Sequence, residues 1–556
     1  QAKRFLVGST AGTNLLYLNG GTVKARVSAA DFMYNLTAAY VKSGGAIFDI
    51  PTNVTVTAAQ GLLTDPVSLN GGMTKKGPGR ITFSGVNTFT GPIDVQAGSL
   101  FFSNTGGLPA SYAGAITVSN GGAIGYAKPG GATLLLSCLN TASSGYLTLF
   151  ASNATDTVDF STFPNMTMAF SGSFNYTGTF IPYGGNYFFQ TEGSIITNAM
   201  VMADAGMTPG HLQVIGVPGS GLLLTGNSSF TGGAAIDGAT VILAHTNALG
   251  VQATPGTRDV QISNGGVLRF DAAMDINAFV ANRLTTTSSG VLLIGAANAA
   301  KSIDLSGHPG IIVGSGELSL DYSGTLTPAA NTYRLGGGNA AYAGSGNRGL
   351  SVSNLADSAG ATAVVIGTPG IAELKAGNTY SGGTVVSNRA VLYLKEDGLG
   401  AVPASPTAGN LLVDNGVIRS GAVNFSLNTN RGVTVASGGL ELHPWGGYTM
   451  TIGGNLAGSG KITTTDGGYV TFAGAANSYN GNVAIGGGQN IRIGSGQNFS
   501  WASTGGVTDN GTLWLKTDTA KSFGDTVSGG GAVRKEGPGT LTLSSVQTYA
   551  GVTYID

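Results

Sequence analysis

Three pairs of neighbouring carboxylates, Asp156/Asp159, Asp271/Asp275 and Glu396/Asp397, are the residues of this 556-residue chain that come nearest to hydrolytic chemistry. Glycoside hydrolysis needs two carboxyl groups facing each other across one sugar ring, one acting as acid and the other as base or nucleophile. Close neighbours in a turn-rich chain read instead as solvated corners, so no catalytic residue is assigned and no enzyme is expected. His211, His245, His308 and His443 stand singly, without HExxH or second-ligand spacing, and no calcium-loop or GGxGxD pattern occurs. No metal or cofactor is therefore expected. Gly344-Ser-Gly-Asn-Arg-Gly349 fits GxGxxG, but Gly is 93 of 556 residues and chance matches follow from that. Ala457-Gly-Ser-Gly-Lys461 imitates a phosphate loop with Asn455 and Ile462 standing where Gly and Ser/Thr belong. The single cysteine, Cys138, lies in the apolar run Leu134-Leu-Leu-Ser-Cys-Leu139 and reads as a small core residue, with no disulfide framework to join.

What remains is a repeated pattern of strands and turns. Lys75-Lys-Gly-Pro-Gly-Arg-Ile-Thr-Phe-Ser-Gly-Val-Asn87-Thr-Phe89-Thr-Gly returns as Arg534-Lys-Glu-Gly-Pro-Gly-Thr-Leu-Thr-Leu-Ser-Ser-Val-Gln547-Thr-Tyr549-Ala-Gly. Looser copies centre on Asn227/Phe230, Asn378/Tyr380 and Asn477/Tyr479. A unit that cannot bury its own apolar face must stack on its neighbours, so this self-similarity predicts a solenoid. The Asn or Gln of each copy is expected to satisfy backbone groups of the coils above and below, and the aromatic to fill the core.

A second signature, Gly turn then alternating strand, recurs as Ser43-Gly-Gly-Ala-Ile-Phe-Asp-Ile50, Ser119-Asn-Gly-Gly-Ala-Ile-Gly-Tyr126, Ser263-Asn-Gly-Gly-Val-Leu-Arg-Phe270 and Asp509-Asn-Gly-Thr-Leu-Trp-Leu515. Asn and Gly accept positive φ, so these are corners between coil faces. Charged residues are 10% of the chain, where about 25% is usual. With 26 Lys+Arg against 27 Asp+Glu and no basic run, nucleic acid is not an expected partner. No apolar run approaches the ~20 residues of a membrane helix, and the chain opens at Gln1 with no export leader, which is expected to lie outside the sequence or to have been removed.

Two stretches repeat each other at longer range: Asn153 matches Asn298, Asp159-Phe-Ser161 matches Asp304-Leu-Ser306, Tyr176 matches Tyr322 and Tyr187 matches Tyr333. Segment 160–190 is crowded with aromatics, which reads as a core ladder or, alternatively, as an exposed platform with Tyr183 and Tyr187 as the surface-binding residues.

Together the two signatures resemble the autotransporter-associated β-strand repeat of large bacterial exported proteins, tightly at 75–91 and 535–551 and more loosely elsewhere. The resemblance implies a right-handed parallel β-helix at or beyond the cell surface, and no catalytic site. The expected fold is all-β, one continuous β-solenoid rod. Its expected units are 1–109, 110–250 with the aromatic insert, 251–400 with a second insert, 401–497, and an incomplete 498–556. Joining Tyr554-Ile555-Asp556 of one copy to Gln1-Ala-Lys-Arg-Phe5-Leu6-Val7 of another reproduces the repeat across the seam. The expected function is accordingly an extracellular structural protein, self-associating head to tail or recurring in tandem as a surface fibre. The alternative is an adhesin or autotransporter-type passenger that binds a glycan or host surface through its inserts.

Overall fold

A computed structural model describes residues 3–6, 12–103, 105–108, 112, 115–119, 121–217, 219–338, 347–368, 370–494 and 506–556. The chain forms two compact units, Gln1–Leu268 and Arg269–Asp556. Both are parallel β-solenoids, as the repeats predict.

In the first unit a sheet runs from Phe5–Leu6 through Arg80–Phe83, Tyr146–Leu149 and Asn186–Glu192 to Val260–Ser263, with each coil adding one strand. The ladders are parallel and in register, so like positions stack: Val56, Ile81, Leu100, Ile124, Leu147, Met168, Phe189, Val214, Ile236 and Ile262 form one unbroken inward row. All ten are buried. Period-two alternation causes this, because successive strand residues face opposite sides and one side of every coil is the core. Further sheets complete the coil walls, among them the one built from Thr22–Lys24, Ala46–Asp49, Met73–Lys76, Ile93–Val95 and Ile116–Val118.

The second unit repeats the principle. Leu350, Ala372, Leu392, Ile418, Leu442, Thr464, Ile485 and Asp509 stack inward along one sheet. On a different sheet of this unit, Arg431 at the start of strand Arg431–Val435 is fully buried and is held by Asp397 at 2.8 Å, the Leu399 and Gly400 carbonyls at 2.8 and 2.6 Å, and Asn410 Oδ1 at 2.9 Å. A buried guanidinium is tolerable only with such complete pairing.

Two short helices, Gly131–Cys138 and Ile276–Asn282, depart from an all-strand reading of the inserts. Cys138 ends the first helix only partly buried, its Sγ 3.4 Å from the Tyr112 carbonyl, rather than in the core. Among the described residues no helix is long and apolar enough to cross a membrane.

Candidate binding surface

The carboxylates of the sequence reading are committed to structure. Asp156 accepts from the backbone N–H groups of Gly130 and Ala132 at 2.8 and 3.0 Å, so it caps a helix that belongs to the preceding coil. Asp159 accepts from Ser161 N at 2.8 Å. Asp271 pairs with Arg269 at 2.6 Å, and Asp275 caps its own helix through Ala278 N at 2.9 Å. Glu396 accepts from Ala376 N at 2.8 Å, and Asp397 holds Arg431. The imitation phosphate loop also has a packing cause: a Cβ on Gly460 would lie 1.7 Å from the Ala436 carbonyl, so coil stacking requires glycine there. Gly344–Gly346 of the GxGxxG match lie outside the described residues.

The repeat asparagines bridge coils. Asn87 accepts from Leu62 N of the coil before at 2.7 Å and donates to the Gly107 carbonyl of the coil after at 2.6 Å. Asn378 does the same between Leu355 N and the Gly398 carbonyl, at 2.9 and 3.0 Å. Asn477 accepts from Leu456 N at 2.7 Å, and Gln547 from Val527 N at 2.7 Å. Phe89, Phe230, Tyr380 and Tyr479 are fully buried, while Tyr549 is half-buried. Asn227 departs from this pattern: it is exposed, and among the described residues its side chain meets only Asn247, at 3.0 Å. In that copy the residue two before the aromatic is Ser228, which is buried and accepts from Met202 N at 3.2 Å. The extra residue in Asn227-Ser-Ser-Phe230 shifts the role by one position. Among the described residues, Asn153 and Asn298 tie the inserts to the preceding coil only, Asn153 donating to the Lys128 carbonyl at 2.6 Å and Asn298 reaching Met274 N and the Phe270 and Ala272 carbonyls at 2.8–3.1 Å.

Lys75 is a further structural member of the first repeat. Its ammonium donates to the carbonyls of Lys76, Gly77 and Ala97 at 2.7–3.0 Å, and burial pulls its pKa down to about 8 against the opposing pull of Asp49. The equivalent Lys535 donates to the Gly537 carbonyl.

Segment 160–190 is chiefly core. Phe160, Phe163, Phe170, Tyr176, Phe180 and Phe189 are buried, with edge-to-face and stacked contacts such as Phe160–Phe180 at 5.4 Å and Phe170–Phe189 at 5.9 Å. Tyr187 is not a surface residue as expected: it is 5% exposed, and its hydroxyl bonds the Ala203 carbonyl and N–H at 3.0 and 2.9 Å. Burial pushes its phenol pKa up. The cause lies in strand Asn186–Glu192, where alternation turns Tyr187 and Phe189 inward and Phe188 outward. Tyr183 is exposed, on the turn Tyr183–Gly185.

The outward row therefore differs from the pair chosen on composition. Along it Tyr146 pairs with Thr167, and Phe188 follows in the same register and pairs with Gln213. With Asn165 and Ile215 they line a groove of about 410 Å³ on the outer face of the first unit. Among the described residues no charged side chain lines it.

The proposed seam residues sit in ordinary coil ladders. Phe5 pairs with Met33 and packs edge-to-face on Phe32 at 5.7 Å, and Leu6 pairs with Tyr34. Tyr554 pairs with Arg534, Ile555 with Lys535, and Asp556 with the Arg534 guanidinium, while Val7 lies outside the described residues.

A family model, the passenger-associated-transport-repeat, matches residues 73–100, 369–388 and 533–556. Three segments of the chain are thus similar to passenger-associated-transport repeats. The matched segments contain the Lys75, Asn87 and Phe89 coil, the Tyr380 coil and the Tyr549 coil, so the similarity falls on inter-coil packing positions. The chain is also similar, at 24% identity over 492 residues, to the adhesin BmaC autotransporter of Brucella suis biovar 1 (strain 1330). That match covers 79% of this chain and 13% of the relative's length. No solved structure matches the chain.

Proposed function

We propose that this chain is part of the passenger of a bacterial autotransporter-type adhesin, exported to the cell surface, where a β-solenoid scaffold presents binding side chains on its outward rows. The observation that carries the reading is the occurrence of passenger repeats along parallel coils in a chain whose relative is an adhesin. Physically the design is coherent. Asparagine bridges and the stacked apolar rows fix the coils, which leaves alternate strand positions free to vary without unfolding anything. No catalytic role is assigned to any residue.

The test is adhesion. Beads coated with the purified chain should bind a mammalian cell monolayer above albumin-coated beads, and antibody to the chain should label intact producing bacteria. Equal bead binding, or labelling only after lysis, would overturn the reading.

Continuation by a further coil, from a second copy or from a tandem repeat, is a second proposal. It is supported by the parallel, in-register ladders of each unit, to which a further coil would add by the same backbone pairing. Micrometre-scale particles of native material that give a denatured mass of 55.5 kDa would support self-assembly. A native monomer of that chain would refute it.

A further inference from the structure

We infer that the groove between Tyr146 and Phe188 binds one saturated ring of a neutral glycan. The inference deepens the adhesive reading and rests on it for its biological setting, whereas the chemistry rests on the groove itself. Tyr146 and Phe188 occupy the same outward row two coils apart, with the small Thr167 between them. At ~4.8 Å per strand step the two backbones are about 9.6 Å apart. A ring lying between two aromatic faces needs about 7–8 Å, given carbon–carbon contacts of ~3.5–4.0 Å on each side. The gap therefore admits one pyranose and would leave two neighbouring aromatics unable to close on each other. A volume of about 410 Å³ lies in the range of small-ligand sites.

The polar lining points the same way. The Tyr146 hydroxyl and the Asn165 and Gln213 amides make no side-chain hydrogen bond to other described residues, so their donors and acceptors are available to sugar hydroxyls. Ile215 supplies an apolar rim. An acidic sugar would find no cation in this lining, and a flat aromatic ligand would leave the amides without partners. Aromatic faces with a few amides and no charge suit the alternating C–H and O–H surface of a neutral hexose.

The full chain should be applied to an array of neutral and acidic oligosaccharides, and each hit titrated by calorimetry against variants. Binding confined to neutral glycans is expected, with Tyr146→Ala and Phe188→Ala each weakening it at least 10-fold and Phe188→Trp retaining it. Thr167→Trp, which fills the gap without removing either aromatic, should abolish binding while thermal unfolding stays unchanged. This variant decides the matter if an alanine variant fails to fold. No neutral glycan bound at millimolar concentration, preference for sialylated or sulfated glycans, or binding indifferent to Thr167→Trp would overturn the inference. The two readings fail separately: cell adhesion that survives Thr167→Trp leaves the adhesin without this groove, and glycan binding without cell adhesion leaves the groove without the adhesin.

Discussion

The insert of the first unit, from helix Gly131–Cys138 to strand His211–Gly216, and that of the second, from helix Ile276–Asn282 to strand Ala363–Thr368, share one skeleton and carry different surfaces. Their inner positions correspond. Leu147, Met168, Phe189 and Val214 in one stack as Leu292, Val313, Leu335 and Ile366 do in the other. Asn153 and Asn298 bridge coils, and Tyr176 and Tyr322 both hold turn carbonyls through their hydroxyls, at 2.8 Å to Asp156 and 2.7 Å to Lys301. Tyr187 with Asp204 is matched by Tyr333 with Asp357: each aspartate ties two loop N–H groups together and accepts from the hydroxyl of Thr231 or Ser381. In the alternate register, the row Tyr146, Thr167, Phe188, Gln213 becomes Val291, which is buried, then Ile312, Arg334 and Val365. Arg334 donates to the Pro309 carbonyl at 2.8 Å rather than standing as an aromatic wall. The scaffold is constrained at every inward position, whereas the outward row is free to specialise, and in one insert it has become a groove.

The comparison is broken most severely through the bridging asparagines. Asn298→Leu removes the partner of Met274 N and of the Ala272 carbonyl, and one of the two donors to the Phe270 carbonyl, and should lower stability by about 2–4 kcal/mol in denaturant titration, with Asn153→Leu similar. A loss under 1 kcal/mol at both sites would deny that the two inserts share this support. The helix starts sharpen it. Asp156→Ala removes a cap supplied by the next coil and should destabilise by about 1–2 kcal/mol at neutral pH. Lys301, which stands at the corresponding position of the second insert, should tolerate alanine, because Asp275 caps that helix locally.

Tyr187→Phe and Tyr333→Phe should each cost about 1 kcal/mol, since each removes a hydroxyl that both donates to and accepts from backbone. Equal values would confirm equivalent roles. Hydrogen bonds also hold the Asp204 and Asp357 pKa values below the ordinary carboxylate value, outweighing desolvation at Asp204 and led by the Ser381 hydroxyl at Asp357. A depressed folded-state pKa contributes stability above the unfolded value of 3.8 that is lost as pH falls through the lower folded one. Melting temperature should therefore drop below about pH 4, and Asp204→Asn with Asp357→Asn should flatten that dependence. The smallest effect on stability belongs to the outer row. Exchanging its side chains, as in Phe188→Arg, should move the melting point little, within about 0.5 kcal/mol, while altering what the surface binds.

Much of this was legible in the residues. The repeat spacing at Asn87/Phe89, Asn378/Tyr380 and Asn477/Tyr479 predicts stacked coils and bridging asparagines, because an Asn two before a buried aromatic occupies a fixed place in the turn. Asn227 misled through one inserted serine, which shows that spacing, not residue type, assigns the role. Tyr187 misled because aromatic crowding was weighed over alternation: Asn186 to Phe189 read with period two already turns Tyr187 inward. Tyr146 and Phe188 lie far apart in sequence and become neighbours in one row only through coil register.

By itself, then, the sequence determined the parallel solenoid, its corners and its inward rows, since these follow from local turn chemistry and strand alternation repeated many times. The tertiary structure alone decided which outward side chains face one another across coils, that Asp156 caps a helix of another coil, and that Arg431 lies buried among carbonyls. Those pairings depend on the number of residues each coil takes to return, a length set by packing around the whole turn and not by any residue within it.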